Sequence, residues 1–522
     1  MFKKPQNFFV LALAFILLLS TRGAFGNIHP NPTNSSQIKA QNGRPPFETS
    51  MERGRYAQVV SIVESGNLNV DEFAEFLKPD LAWYNGHFYS TFPPGMAILS
   101  APFYLIGRVF GLSQVFTYFT PLLLTLITVI FIIKTGDLLG ISKRGSILSS
   151  AVFALATSTW AYSSTFSAHS LSALCAISIF YLILKIKKSD PEVLNKNKIL
   201  WYGGIGFIYS INLFIDYPNL LILLPLVLFT PFIEASVVSQ ENEKVLSLPK
   251  KATGTVIGLI LGVLLFVVFN LINYSKATYL SNTYTIKWVL QKESDLTKLS
   301  LSNEIFKNKN YLTDRFSLGK LVDGFQVLTT DSDRGVFQFY PIYIFALIGL
   351  VVALKSQRKV FLLPALIFLL NICVYGSYDD PWGGWAFGPR YLTISLALFS
   401  LLIGYFFDKF SQKILVKILM LASIFFSTSI AAIGALTTTA VPPSIEVAKK
   451  GIYSNYMYNF QYLWKNGSSS FIYNSIFSIF IPQVYYVFVC VLVCFLFTTI
   501  FFANKKHLHT LKAWARPFVG KQ

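Results

Sequence analysis

The stretch Asp80-Leu-Ala-Trp-Tyr-Asn-Gly-His-Phe-Tyr-Ser-Thr-Phe-Pro-Pro-Gly95 is polar, aromatic and turn-forming, and it interrupts an otherwise apolar chain. Asn85-Gly86 is a tight-turn dipeptide and Pro93-Pro94-Gly95 does not continue a helix, so the pattern predicts irregular backbone for His87, Tyr89 and Ser90. Near a membrane, irregular backbone is tolerated only where protein or water covers it. We therefore expect a loop that carries function.

The run Met96 to Phe110 follows this loop directly and is apolar, although it contains Pro102 and Arg108. It has about 15 residues, fewer than the roughly 20 that a bilayer span needs. The length predicts an interfacial or half-inserted helix.

The composition is that of an integral membrane protein. Of the 522 residues, 53% are hydrophobic and only 13% are charged. The net charge of +19 does not indicate a nucleic-acid partner, because most Lys and Arg residues lie in short loops between apolar runs and no basic face with interleaved aromatic residues is present. The four cysteines all fall inside apolar segments, which is typical of buried small hydrophobic residues.

The apolar runs predict an all-α polytopic protein with about twelve transmembrane helices. Lys3-Lys4 and the apolar run from Phe8 to Ser20 resemble a signal peptide with a weak cleavage-like site at residues 24–26, but in a multispan protein we favour an uncleaved first helix. The other runs of spanning length cover roughly residues 115–134, 146–163, 167–185, 199–215, 217–233, 252–273, 337–354, 359–376, 390–407, 413–438 and 480–503.

The basic loops predict the orientation. With a cytoplasmic amino terminus, the Lys- and Arg-rich loops and the tail from Lys505 all fall inside, as the positive-inside rule requires. We expect a multi-pass protein of the plasma (inner) membrane with both termini cytoplasmic and the polar loops exported. The predicted divisions are a first helix (1–26), a large first exported loop with its interfacial helix (27–113), a multispan core (114–440), an exported loop or subdomain (441–478), and a last helix with a basic tail (479–522).

Two arginines stand at predicted helix mouths on the exported side, Arg334 just before a span and Arg390 just entering one. A guanidinium group gives bidentate recognition of phosphate, and a helix amino terminus near Pro389 would add positive potential. Alternatively, Arg334 pairs with Asp331 or Asp333 and Arg390 with Asp379 or Asp380, or both reach lipid headgroups. Nearby Trp382 and Trp385 either bind substrate or belong to an interfacial aromatic belt.

Several motifs resemble those of one family. Glu52-Arg-Gly-Arg-Tyr-Ala-Gln58, Asn85-Gly-His-Phe-Tyr-Ser90 with Pro93-Pro-Gly95, Arg334-Gly-Val-Phe337 and Trp382-Gly-Gly-Trp385 with Gly388-Pro-Arg-Tyr391 look like segments of bacterial GT-C glycosyltransferases. These are polytopic relatives of the protein O-mannosyltransferase and aminoarabinose-transferase group. The resemblance covers roughly residues 45 to 400.

The resemblance implies an enzyme that takes a sugar from a polyprenyl-phosphate carrier and transfers it to an acceptor hydroxyl with inversion. The acceptor is a glycan, lipid or protein. A carboxylate of the first exported loop would act as the general base, and cationic residues would hold the departing phosphate. The candidate bases are Glu52, then Asp80 or Glu48. The candidates for binding donor phosphate or sugar are Arg55, His87, Tyr89, Arg334, Trp382, Trp385 and Arg390.

We expect no cofactor and no metal site, although exported acids such as Asp379 and Asp380 could hold a divalent cation on the phosphate. The sequence has no Walker-type glycine loop and no Rossmann fingerprint, which disfavours a nucleotide-driven mechanism. One rival is a transporter or flippase of lipid-linked saccharide, which would carry ionisable residues near the midplane of discontinuous helices. The other is an oligosaccharide polymerase or ligase, which would share the donor and differ in the acceptor.

Overall fold

The computed structural model describes residues 5–22, 46–189, 195–240, 243–284 and 315–502. The basic tail from Lys505, much of the segment predicted between Tyr274 and Val336, and residues 27–45 of the first loop therefore lie outside the described residues. Four short strands stand among many helices, and the expected all-α polytopic membrane fold is confirmed.

Seven helical segments in the described ranges are long and apolar enough to cross a bilayer. They cover Ser113–Leu139, His169–Lys188, Lys250–Tyr274, Lys359–Gly376, Arg390–Phe410, Ile414–Leu436 and Pro482–Phe502. Shorter apolar helices cover Gln6–Leu18, Gly95–Val109, Pro218–Phe232 and Pro341–Lys355. Most of the predicted runs are thus found as helices, whereas the predicted count of about twelve spans stays a prediction.

The α-helices follow one another with short connections. Before the centre of the chain they are α1 Pro5–Leu18, α2 Ser50–Val60, α3 Ala74–Leu77, α4 Gly95–Val109, α5 Ser113–Leu139, α6 Lys143–Leu155, α7 Thr159–Ser163, α8 His169–Lys188, α9 Asn195–Ser210, α10 Pro218–Leu228 and α11 Thr253–Tyr274. After it they are α12 Leu321–Thr329, α13 Val336–Phe339, α14 Ile344–Lys355, α15 Leu362–Gly376, α16 Thr393–Phe410, α17 Ile414–Leu436, α18 Ser444–Val447, α19 Tyr456–Asn466 and α20 Pro482–Phe502. The predicted run 146–163 is divided between α6 and α7.

The loop before α4 contains a β-hairpin, which corrects the prediction of irregular backbone. Strand β1 (Leu81–Tyr84) pairs antiparallel with β2 (His87–Ser90), so His87, Tyr89 and Ser90 all lie on a strand. The turn is the predicted one: Asn85 and Gly86 both have positive φ, 49° and 83°, as a two-residue hairpin turn requires. A second hairpin pairs β3 (Ser236–Gln240) with β4 (Glu243–Ser247).

Helix α5 runs between two different ends of the bundle. At its start, the Ser113 hydroxyl lies 3.0 Å from that of Tyr56 in α2. At its end, the Leu139 carbonyl accepts a hydrogen bond of 3.3 Å from Arg358 Nη1. The 27 residues between them correspond to about 40 Å of helix. The first loop and the basic loops with Lys143 and Arg358 therefore lie at opposite ends.

The end of α1 is embedded in later parts of the chain. The Leu19 carbonyl accepts hydrogen bonds from Ser470 Oγ at 2.6 Å and from the Tyr485 hydroxyl at 2.7 Å. Trp160 Nε1 donates to Ser20 Oγ at 2.9 Å. The first helix is therefore packed into the bundle as a part of the fold.

Residues 441–478 lie against the multispan core. Asn459 on α19 donates to the Thr437 hydroxyl at 3.0 Å and to the Thr438 carbonyl at 2.6 Å, just after α17 ends. Whether these residues form a subdomain stays a prediction, as do the other predicted divisions.

Candidate active site

Five ionisable side chains meet beside the first loop, and we call them the arginine cluster: Arg55, Asp80, His169, Asp216 and Arg390. Arg55 lies on α2, Asp80 precedes β1, His169 begins α8 and Asp216 precedes α10. The electrostatic influence of Asp216, Arg390 and Asp80 reaches Arg55, and that of Arg55 and Arg390 reaches His169. Elements far apart in the sequence thus bring both signs of charge together.

Arg55 is almost fully buried without protein acceptors for much of its guanidinium group. The residue is 6% exposed, and its Nε and Nη1 have no hydrogen-bond partner. Its Cζ lies 4.5 Å from the centre of the Phe92 ring, which gives a cation–π contact but no acceptor. Burial lowers the pKa of Arg55 to about 10, against the influence of Asp216, so the group stays charged at neutral pH.

Arg390 is held by a glycine turn. Its Nη2 donates to the Gly383 carbonyl at 2.6 Å, Nη1 lies 3.4 Å from Met51 Sδ, and Nε has no partner. Gly383 and Gly384 have φ of +74° and +61°, the left-handed region that favours glycine. A Cβ at Gly383 would lie 2.7 Å from Arg390 Nε. The Trp382-Gly-Gly-Trp385 motif therefore positions the arginine.

Unpartnered buried N–H groups cost about 1–3 kcal/mol each when nothing replaces water. Two guanidinium groups that also repel one another make that arrangement still less favourable without a counter-ion. The site therefore suits an anion with several acceptor oxygens, such as a phosphate.

Two carboxylates lie within the electrostatic reach of the arginines. Asp80 is half-buried and its Oδ2 accepts from the Ser50 hydroxyl. Burial raises the pKa of Asp80, whereas Ser50 and the guanidinium groups of Arg390 and Arg55 act in the opposite direction. Asp216 Oδ2 accepts from the Tyr375 hydroxyl at 3.3 Å, and burial raises its pKa as well.

Glu52 belongs to a different arrangement, which we call the cap network: Arg22, Glu48, Thr49, Glu52 and Thr439. Glu52 Oε2 accepts from the backbone N–H groups of Glu48 and Thr49, at 3.1 and 3.0 Å, and from the Thr49 hydroxyl at 3.2 Å. Its Oε1 accepts from the Thr439 hydroxyl at 3.4 Å. This is a capping box at the start of α2.

Glu48 also has a protein partner in the cap network. Arg22 Nη1 donates to Glu48 Oε2 at 3.0 Å, and Arg22 Nη2 donates to the Gly434 carbonyl at 2.8 Å. Burial and the neighbouring Glu48 raise the pKa of Glu52 to about 7, and burial raises that of Glu48. Both acids thus hold elements together, and their role as bases stays a prediction.

Arg334 does not have free donors for a phosphate. It is 1% exposed, and Nε, Nη1 and Nη2 all donate to protein. The acceptors are the carboxylate and carbonyl of Asp333 and the carbonyls of Trp382, Gly384, Val441 and Ser454. The alternative of a local pair with Asp333 is the one the contacts support, and we do not include Arg334 in the proposed phosphate site.

The remaining predicted binding residues lie in separate surroundings. His87 Nδ1 is 2.7 Å from Asp71 Oδ2 in an exposed pair. Tyr89 is 7% exposed and packs edge-on against Tyr274. Trp385 Nε1 donates to Glu446 Oε2 at 2.7 Å. Trp382 contributes its carbonyl to Arg334, so none of these four contacts the arginine cluster through an observed hydrogen bond.

Sequence reasoning did not select Arg22, Tyr375 or Met51. Arg22 had a usable signal, because an arginine at the outer end of the first apolar run goes against the positive-inside pattern. Tyr375 and Met51 had none, since each is an ordinary apolar or aromatic residue of a helix. Among the described residues, no group of three His, Cys, Asp or Glu side chains could hold a metal ion.

The fold is that of GT-C glycosyltransferases. No protein-family model matches the sequence, and no curated protein matches it either. The fold is similar to that of ArnT from Cupriavidus metallidurans in the apo state, with a TM-score of 0.52 at 11% identity over 95% of this chain and 74% of that one.

It is also similar to the oligosaccharyltransferase of Archaeoglobus fulgidus in complex with Zn and sulfate, with a TM-score of 0.50 at 12% identity. That match covers 83% of this chain and 53% of the other, so the chain spans about half the length of the archaeal enzyme. The fold expected from the sequence motifs is thereby confirmed.

Proposed function

We propose that the protein transfers a sugar from a polyprenyl-phosphate carrier to an acceptor hydroxyl, with inversion at the anomeric carbon. The observation that carries this proposal is the pair of buried arginines, Arg55 and Arg390, whose N–H groups lack protein acceptors beside two carboxylates. The similarity of fold to ArnT and to an oligosaccharyltransferase agrees with it.

In the proposed reaction, Arg55 and Arg390 bind the phosphate of the donor. The bond between the anomeric carbon and the phosphate oxygen breaks while the acceptor oxygen bonds to the anomeric carbon from the opposite side. Negative charge develops on the departing polyprenyl phosphate, and fixed guanidinium groups stabilise that charge in the transition state. A phosphate leaving group does not need a strong general acid.

We assign the general base to Asp80 in preference to Glu52. A base must take the proton of the acceptor hydroxyl, so it needs an accessible oxygen. Glu52 is fully buried and both of its oxygens accept hydrogen bonds within the cap network. Asp80 is half-buried, lies within the influence of both arginines, and has one hydrogen bond to Ser50.

The proposal puts the site on the exported side of the plasma membrane. The arginine cluster lies at the start of α5, and the basic loops with Lys143 and Arg358 lie at its other end. Basic loops are enriched on the cytoplasmic side. The donor would then be taken from the outer leaflet, and the acceptor, whether glycan, lipid or protein, would come from the envelope.

The test is donor consumption by the purified chain in detergent, with a panel of radiolabelled polyprenyl-phosphate sugars and a matched panel of nucleotide sugars. We expect consumption of a lipid-linked donor, and loss of it in Arg390→Gln. Arg108→Gln is the matched control, because Arg108 is half-exposed and pairs with Glu64 at 2.6 Å away from the cluster. Transbilayer movement of an intact donor in proteoliposomes, with no sugar released, would instead favour a flippase.

A further inference from the structure

His169 has an unused donor beside the two arginines. It is the first residue of α8, and its ring packs edge-on against Tyr162 with centroids 5.0 Å apart. Its Nε2 is buried and has no hydrogen-bond partner. Both Arg390 and Arg55 lie close enough to influence its charge electrostatically.

A buried imidazole nitrogen without a partner costs free energy unless a ligand supplies one. The Tyr162 contact fixes the ring plane, so Nε2 cannot turn away freely. An anion bound between Arg55 and Arg390 would bring acceptor oxygens to this region, and a neutral imidazole can donate to them without adding charge.

We propose that His169 Nε2–H donates to an oxygen of the carrier phosphate, as a third donor with Arg55 and Arg390. This inference rests on the proposed function. It assigns His169 to recognition of the lipid phosphate, whereas the sugar and the acceptor hydroxyl contact other groups.

Two substitutions separate the donor from the packing. His169→Phe keeps an aromatic ring against Tyr162 and removes Nε2, whereas His169→Gln carries an amide nitrogen at a similar distance from the backbone. The probe is a short-chain polyprenyl monophosphate, and the uncharged polyprenol of equal length is the reference. Binding to the purified full chain is measured, together with KM and kcat for the donor.

We expect His169→Phe to weaken binding of the polyprenyl phosphate by about tenfold or more, which is the usual range for one hydrogen bond to a charged group. Binding of the polyprenol should not change, and His169→Gln should recover part of the loss. Monomeric elution of His169→Phe in detergent confirms that it is folded.

The outcomes are distinguishable. Equal binding of the phosphate by the wild type and by His169→Phe would overturn this inference and leave the proposed function standing. If the wild type binds the phosphate no better than the polyprenol, the proposed function itself fails. A loss for polyprenol as large as that for the phosphate would show that His169 only supports packing.

Discussion

Two buried regions of this molecule are built around arginine, and they use it in opposite ways. Around Arg334, carbonyls from three separate segments, 382–384, 441 and 454, and the carboxylate of Asp333 accept its N–H groups. Around Arg55 and Arg390, several equally buried N–H groups have no acceptor. The first region is complete without a ligand and the second is not.

The comparison teaches that depth and position of an arginine do not reveal its role. Arg334 and Arg390 both stand at helix mouths in the sequence, and the sequence predicts the same task for both. Only the acceptors around each side chain separate a structural arginine from one that suits a ligand. The same reasoning separates Glu52, which caps α2, from Asp80.

The largest effect is expected for Asp80→Asn. Asparagine can still accept from Ser50, so the fold should persist, but it cannot take the acceptor proton. A positioned base contributes about 10²–10⁴-fold to a rate, and we expect kcat to fall by that range at an unchanged melting temperature. If kcat stays within tenfold of the wild type, the base is another group, and Asp216→Asn becomes the variant to measure.

Arg334→Met should damage the fold more than the chemistry. Removing one partner of a buried ion pair leaves Asp333 uncompensated, and the free energy of unfolding should fall by about 3–5 kcal/mol. Thermal unfolding in detergent measures this. The control is Arg108→Met, at a half-exposed pair, where about 0–1 kcal/mol is expected. Equal stability of the two variants would contradict the structural role.

Arg55→Gln should do the reverse. We expect a loss of about 10–100-fold in kcat/KM, the range for losing charged hydrogen bonds to a phosphate. Its stability should fall less than that of Arg334→Met, because the change also removes repulsion with Arg390. Donor kinetics and thermal unfolding on the same preparation give both numbers. A stability loss as large as that of Arg334→Met, with unchanged kinetics, would abolish the contrast between the two regions.

The smallest effect is expected for Glu52→Gln, and it should appear in the pH dependence of stability. The pKa of Glu52 is raised from 4.5 to about 7, so the folded chain holds a proton that the unfolded chain releases. Stability of the wild type should therefore fall as the pH rises from 4.5 to 7, since the folded state binds more protons there.

Glu52→Gln lacks this proton, so its melting temperature relative to the wild type should rise between pH 5 and pH 8. Its amide oxygen can still accept from the backbone of Thr49, and we expect kcat to stay within a few-fold. A loss of kcat of a hundredfold or more would return the base to Glu52.

The sequence predicted the helices well because a bilayer imposes a simple rule of length and polarity. The run 413–438 became α17 and the run 480–503 became α20, within a few residues. The hairpin of His87 and Tyr89 was missed, because a strand of four residues beside Pro-Pro-Gly has almost no periodicity to detect. The turn at Asn85-Gly86, which depends on local chemistry alone, was predicted correctly.

The site was predicted less completely than the fold. Arg55 and Arg390 meet in the structure, as two candidates for one phosphate should. Asp216 and His169, however, join them from the start of other helices, and a single sequence does not contain the distance between such residues. Satisfaction of buried donors is a property of three-dimensional contacts, which is why Arg334 could not be distinguished from Arg390.

The hydrogen bonds to the Leu19 carbonyl have a consequence for biosynthesis. Their donors, Ser470 and Tyr485, follow it by 451 and 466 residues, so they leave the ribosome long after the first helix has entered the membrane. Until then the end of α1, including Arg22, waits without these partners. A chain that stops before α20 therefore presents an open amino-terminal helix, a feature by which membrane quality control can recognise an incomplete product.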